Sequence, residues 1–411
     1  MRMHLFLLTV AIVMLATEKS FSQESAKRFV QDRFAIGFWV DPPSAQITDA
    51  RYREIAEANF TFVMGNFGPQ TDKDISRQLA LCKKYGLMAI VKGDPNDPAK
   101  LPDHGNCWGY CLVDEPGAGS IPDIKARIEA VRKHRPGKLG YLNLLPDYAP
   151  LNALGTSSYD EYVARFAKET RCDVLCMDYY PMMTPTSDGR EGYCGNLAVM
   201  RKYSIECKVP FWNFFNTMPF GPFYDPTESH LRWQIYTSLA YGAKGVLYFC
   251  YWTPPGGPGE FPKGGAIITT QGLRTRHYDQ AKRINAGLKN LGPTLMKLTS
   301  TGVFRVNPGD DSAKAIAGLP IKSISPGGDY LIGVFKHADG RRAVLLSNYD
   351  HNYTAWPTVE FDVPAKEVVE VDAADGKEKP ARDDSPDFPG LQLSLDSGEG
   401  RLFLLRSVVL H

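Results

Sequence analysis

Eight short apolar runs, each followed by a stretch of helical period, fill the chain from about residue 34 to 295. The runs are Phe34–Val40, Phe60–Met64, Leu87–Lys92, Trp108–Val113, Leu139–Leu145, Val174–Tyr180, Pro210–Phe215 and Gly245–Trp252. Amphipathic stretches lie between them: Thr48–Ala58, Asp74–Tyr85, Ile121–Lys133, Tyr159–Thr170, Leu197–Cys207 and Glu228–Tyr241. Nearly continuous apolar strands alternating with helices indicate a parallel sheet covered on both faces. Eight such units in this length predict an α/β chain with a (β/α)8 TIM barrel. A doubly wound sheet is the alternative, but it would carry a glycine-rich phosphate loop after its first strand. Here that place holds Trp39-Val40-Asp41-Pro42-Pro43.

After about residue 300 the period changes to two. It appears in Tyr330–Lys336, Arg342–Asn348, Thr358–Val363, Glu367–Val371, Leu391–Leu395 and Arg401–Leu405, with turns at Asp339-Gly340, Asp375-Gly376 and Ser397-Gly398. This predicts a small antiparallel β-sandwich. The expected division is a signal peptide over 1–22, a barrel over 23–298 and a β-module over 299–411. The signal peptide rests on Arg2 and His4 before the apolar run Leu5–Ala16, with Ser20-Phe21-Ser22 offering a cleavage site. An exported protein, periplasmic or extracellular, is expected, with no membrane span in the mature chain. The formal net charge of +1 gives no field to draw nucleic acid or anionic lipid. Export permits disulfides, yet most of the 8 cysteines lie in apolar runs and read as small buried hydrophobes. Cys194 and Cys207 are the pair best placed to bridge.

Chemistry is expected at the carboxyl ends of the strands, where barrel active sites sit. Run four ends Val113-Asp114-Glu115-Pro116. Strict alternation puts Glu115 on the face of Gly109, Cys111 and Val113, the inward one, and Asp114 on the other. Both acids can enter the mouth only if the strand bulges or ends. Run six places Asp178 in phase with Cys176 and Tyr180, so Asp178 and Tyr180 should share the mouth. An acid in so apolar a run needs a partner or a function. Other run ends offer Trp39 and Asp41, Asn66, Lys92 with Asp94, Asn143, Trp212, Asn213 and Asn216, and Tyr248, Tyr251 and Trp252. Amides pair with hydroxyls and aromatic faces stack on sugar rings, so this set suits a carbohydrate. Glu228 reads as a first-turn helix acid, with Glu191 and Glu260 weaker candidates. Tyr353 and Trp356 read as packing in the β-module. The 8 histidines show no HxH or HExxH spacing, so neither a metal nor a cofactor is implied.

The eight-strand pattern, the Glu ending strand four, the run Ala240–Val246 leading into Tyr248-Phe249, and Trp252 resemble the retaining barrel glycoside hydrolases of clan A. The β-galactosidase-like and cellulase-like members with a C-terminal β-module are the nearest in kind. That resemblance implies a glycosidase whose acid/base is Glu115. In that clan the residue before it is Asn, where this chain has Asp114. The clan's nucleophile is a Glu ending strand seven; here the strand ends Phe211-Trp212-Asn213-Phe214-Phe215-Asn216 and has none. Three readings stay open. Glu115 pairs with Asp178; or Asp114-Glu115 acts as in substrate-assisted hexosaminidases; or the barrel binds carbohydrate without cleaving it.

Overall fold

The computed structural model describes residues 27–93, 97–183, 187–256, 261 and 265–406. The expected signal peptide, Asp94 and Glu260 lie outside the described residues. Each of the eight runs forms one strand: β1 (Ala35–Phe38), β2 (Phe62–Gly65), β3 (Met88–Lys92), β4 (Cys107–Asp114), β5 (Leu139–Asn143), β6 (Leu175–Asp178), β7 (Phe211–Asn216) and β8 (Gly245–Phe249). The helices are α1 (Asp49–Glu57), α2 (Asp72–Tyr85), α3 (Ile121–His134), short α4 (Leu151–Leu154), α5 (Tyr159–Arg165), α6 (Arg190–Cys207), α7 (Glu228–Ala240) and α8 (Arg276–Leu295). Their ends follow local chemistry. Helix α2, for example, opens on a Thr71–Asp74 capping box and stops at Gly86, whose φ is +69°.

The strands pair in parallel in the orders β1-β8-β7-β6 and β2-β3-β4-β5. Backbone bonds close both seams. The Thr61 N–H donates to the Ile36 carbonyl (2.8 Å), and the Leu144 N–H to the Cys176 carbonyl (2.8 Å). The result is a closed (β/α)8 barrel. Alternate side chains fill its interior. Phe62, Trp108, Tyr141 and Trp212 plug the lower half, with Trp108 and Trp212 stacked at 5.9 Å and Phe62 5.5 Å from Trp212. The opposite strand faces, including Ile36, Val63, Val91 and Leu142, pack under the helices. The interior is a packed core, which leaves the carboxyl end for ligands.

Nine further strands follow: β9 (Leu298–Val306), β10 (Ile321–Ser325), β11 (Tyr330–His337), β12 (Arg342–Asn348), β13 (Thr358–Phe361), β14 (Val368–Val371), β15 (Glu378–Pro380), β16 (Leu391–Gln392) and β17 (Gly400–Leu405). They form an antiparallel sandwich of a six-stranded sheet, β15-β14-β17-β12-β11-β9, and a three-stranded sheet, β10-β13-β16. Period two sorts the large sheet. Ile332, Val344, Leu346 and Phe403 face the small sheet, whereas Leu331, Phe335, Leu345 and Leu404 face the barrel's helices. Strands β9, β10 and β15 had no counterpart among the expected runs, because their outward residues interrupt the apolar pattern.

Two expectations are corrected. Tyr353 and Trp356 do not pack: they lie between β12 and β13, outside both sheets, and are 73% and 65% exposed. Cys194 and Cys207 sit toward opposite ends of α6, roughly 20 Å apart at 1.5 Å per residue. That is far beyond disulfide reach, and all the cysteines are free.

Gly333 of β11 faces α7 so closely that a Cβ there would lie 2.6 Å from the Ala240 carbonyl oxygen. Helix α7 therefore packs directly on the strand backbone. Gly333→Val is expected to destabilise the protein by about 1–3 kcal/mol, read as a lower denaturant midpoint. An unchanged midpoint would show that this contact is not tight.

Candidate active site

The sequence brings acids to the mouth through an irregularity in β4. Against β5, Cys111 pairs with Tyr141, Val113 with Leu142 and Asp114 with Asn143, so one residue of β4 is extra. Leu112 and Val113 consequently both pack outward, and Asp114 takes the inward phase of Cys111. The Glu115 N–H makes the last ladder bond, to the Asn143 carbonyl (2.9 Å). Glu115 then turns into the left-handed region at φ +48°, and Pro116 follows. Bulge and strand end together put Asp114 and Glu115 at the same mouth, which strict alternation had assigned to Glu115 alone. Tyr162 of α5 fixes this corner: its hydroxyl donates to the Pro116 carbonyl (2.7 Å) and accepts from the Leu145 N–H (3.2 Å).

From β6, Asp178 and Tyr180 point inward with Cys176, as their phase predicts. One amide joins the acids. Asn143 Nδ2 donates to Asp178 Oδ1 at 2.8 Å and to Asp114 Oδ1 at 3.2 Å. Its Oδ1 is buried with no partner. Asp114, Glu115, Asn143 and Asp178 form one side of a cavity of about 220 Å³. Trp39, Tyr180, Phe214 and Phe249 form the rest. Phe220 and Phe223 back the aromatic side, each packed against Tyr180 at 5.2 and 5.6 Å. Phe67 stands edge-on to Trp39 at 5.1 Å on the other.

Electrostatics follow from this enclosure. Asp178 is only 5% exposed. Burial and the neighbouring Glu115 push its carboxyl well above the usual range, against the lowering effect of the Asn143 amide. Glu115 is open to solvent on one side, yet partial burial and Asp114 raise it too, while its hydrogen bond with Asp178 opposes the rise. Asp114 is raised by burial and lowered by Asn143. Like charges held together oppose one another's ionisation, and burial adds to this, so Glu115 and Asp178 both titrate above the ordinary carboxyl range.

The remaining expected site residues lie elsewhere. Asp41 is buried under the β2–α2 loop. Its Oδ1 accepts from the Phe67 and Gly68 N–H groups (2.9 and 2.8 Å) and its Oδ2 from Gln78 Nε2 (3.0 Å). Burial raises it to about 7. Trp212 is inward but one layer too deep, and its Nε1 donates to Gln31 Oε1 (2.9 Å) at the barrel base. Asn213 points outward to Tyr193 and Ser238 (2.6 and 3.1 Å). Asn216 holds the backbone of Met182 (3.3 Å). Trp252 packs under Arg51, 5.2 Å from its centroid. Glu228 is paired with Arg283 (2.7 Å), a helix-stabilising role. The residues missed were Phe214 and Phe249, which follow in phase from Trp212 and Leu247.

No protein-family model and no curated protein matches this chain. Solved structures do resemble it. A family 42 β-galactosidase from G. stearothermophilus aligns with 93% of this chain and 100% of its own, at 9% identity and a TM-score of 0.58. A family 39 glycoside hydrolase from the gut symbiont Bacteroides cellulosilyticus WH2 aligns with 91% of this chain and 81% of its own, at 13% identity and a TM-score of 0.52. The fold is thus that of the barrel glycoside hydrolases that the sequence resembles, with a β-sandwich after the barrel.

A raised acid favours folding at low pH and loses that advantage as pH climbs from its unfolded pKa, near 4, through its folded one. Asp178→Asn removes the loss. The variant is expected to melt higher than wild type at pH 8, with the difference shrinking toward pH 4. Equal melting temperatures throughout would mean that Asp178 carries no burial penalty.

Proposed function

We propose that this protein is an exported glycoside hydrolase that cleaves an oligo- or polysaccharide by carboxylate acid/base catalysis. The observation that carries this reading is the Asp114–Asn143–Asp178 bridge beside Glu115, at the carboxyl end of the barrel. Glu115 is assigned as proton donor. It ends β4 at the position of the acid/base in the clan A resemblance, lines the cavity and accepts from no amide. Asp178 is the second carboxylate. Asp114 keeps Glu115 protonated by its charge and helps fix Asn143.

Glu115 and Asp178 line the same cavity and influence one another's ionisation. Inverting enzymes hold their two carboxyls roughly 6.5–9.5 Å apart to admit a water, and retaining ones roughly 5 Å apart. The mutual influence of the pair supports the closer, retaining arrangement. A sugar seated between them would part the pair. With the proton of the pair on Glu115 and Asp178 ionised against the Asn143 amide, Asp178 would attack the anomeric carbon as the Glu115 proton passes to the departing oxygen. Glu115 would then take a proton from the water that releases the sugar. Trp39 and the aromatic wall offer faces for the ring, and the carboxyls offer acceptors for its hydroxyls. Export rests on the Leu5–Ala16 run. Among the described residues no helix is long and apolar enough to cross a membrane.

Glu115→Gln is expected to lower kcat on a cleaved glycan by about 10²–10⁴-fold while binding persists. The basic limb of the wild-type pH profile should fall above the roughly 4.3 of a free glutamate. Undiminished cleavage by Glu115→Gln would remove the assignment. Glycan binding without cleavage by the wild type would favour the non-catalytic reading.

A further inference from the structure

We propose that His230 and His351 form an acid-sensitive latch between the barrel and the sandwich, which holds the β7–α7 loop while both rings are neutral and loosens when they are protonated. His230 lies in the first turn of α7, on the barrel, and His351 follows β12, on the sandwich. Their rings meet edge to face, 4.5 Å apart at 80°. Trp233 of α7 packs on His351 at 6.1 Å, and Tyr224 of the β7–α7 loop packs on His230 at 5.3 Å. Tyr224 follows Phe223, which backs the cavity wall against Tyr180, so the latch touches the loop that shapes the candidate site.

The geometry requires neutral rings. His230 Nδ1 accepts from the Thr227 N–H (3.2 Å), while the Thr227 hydroxyl accepts from the His230 N–H (3.3 Å), a capping box at the start of α7. A protonated imidazole has no acceptor to offer, so charging His230 breaks one side of that cap. The charge would also stand against the positive end of the helix dipole. A second charge on His351 would repel the first across the seam. Arg190, at the start of α6, adds a positive charge that acts on both rings. The acids nearby answer only in part. Asp350 and Asp188 favour a charged His351, but Asp188 is bound to Arg190 (2.7 Å). On α7, Glu228 is bound to Arg283 (2.7 Å), and on the β7–α7 loop Asp225 is bound to Arg276 (2.7 Å) and His277 (2.8 Å). Burial and the neighbouring cations lower His230 to about 4, and burial and Arg190 lower His351 as well. A histidine held below its unfolded pKa of about 6.5 carries no penalty above that pH. Stability falls as pH drops from there toward the folded value.

The test compares wild type with the double variant His230→Gln, His351→Gln, in which glutamine keeps a capping acceptor at position 230. Between pH 8 and pH 5 the wild type is expected to lose about 2–4 °C more in melting temperature than the variant. At pH 5 the backbone amides of residues 217–231 and 348–355 should exchange hydrogen faster in wild type than in the variant, and at pH 8 the two should agree. A difference between the proteins that is the same at both pH values would overturn the latch and leave the rings as packing alone. Should the double variant not fold, the wild-type resonances assigned to His230 and His351 decide. Titration of both well below 6.5 supports the latch, and titration of both at the ordinary value overturns it.

Discussion

Leu112 and Val113 both turn outward from β4, and that one extra residue determines where three carboxyls can meet. Without it, Asp114 would lie under helices with Leu112, and Asn143 would face Asp178 alone. With it, the last inward positions of β4, β5 and β6 carry Asp114, Asn143 and Asp178 in a row. A single amide can then bond both acids. The strand end supplies the other half of the geometry. Glu115 leaves the ladder in a left-handed conformation that disfavours residues with a Cβ, and Val40 does the same after Trp39 on β1. Strain of this kind persists where the surroundings hold it. Here Tyr162 locks the Pro116 corner, and buried Asp41 holds the loop that brings Phe67 against Trp39.

The acids are held at an energetic disadvantage that the barrel can absorb. Below them lies an aromatic plug of Phe62, Trp108, Tyr141 and Trp212, and around them an aromatic wall. The low dielectric of that setting penalises ionisation, which is what raises Asp178 and Glu115. The same setting would make a proton transfer or a developing positive charge on a sugar respond strongly to those carboxyls. Stability and chemistry thus pull in opposite directions at Asp178, while the closed barrel and the sandwich docked on α7 supply the rigidity around it.

The barrel was legible because burial on both faces writes each strand as a continuous apolar run, and all eight runs became strands. Phase within a run was legible where the strand is regular: Asp178 and Tyr180 share the mouth as counting by two from Cys176 requires. It failed where regularity fails. A bulge leaves no mark in Gly109-Tyr110-Cys111-Leu112-Val113, so Asp114 was assigned to the wrong face. On β7 and β8 polar and indole residues stand at the run ends, but depth along the strand governs. Trp212 is inward yet buried at the base, Asn213 is outward, and the mouth belongs to Phe214 and Phe249. Trp39, Asn143 and Tyr180 line the cavity because they are both in phase and last in line. In the sandwich, β9 was not legible because its pattern alternates weakly, with polar residues on the outer face.

That contrast bears on why strand seven carries no acid. In a barrel the mouth position of each strand is set by phase and depth together, and on β7 that position holds Phe214, which forms part of the cavity wall. A carboxylate there would face Trp39, 5.4 Å from the Phe214 ring, and lie two strands from the Asn143 amide. On β6 the equivalent position is Asp178, one strand from Asn143 and bonded to it. The donor that steadies an ionised carboxyl is thus on β5, and the acid stands beside it. An acid transplanted to Phe214 would need another donor, because the Asn143 amide already serves Asp114 and Asp178. The absence of an acid at the end of β7 is therefore coherent with the hydrogen bonding of the mouth: Asp178 sits where the Asn143 amide can hold it.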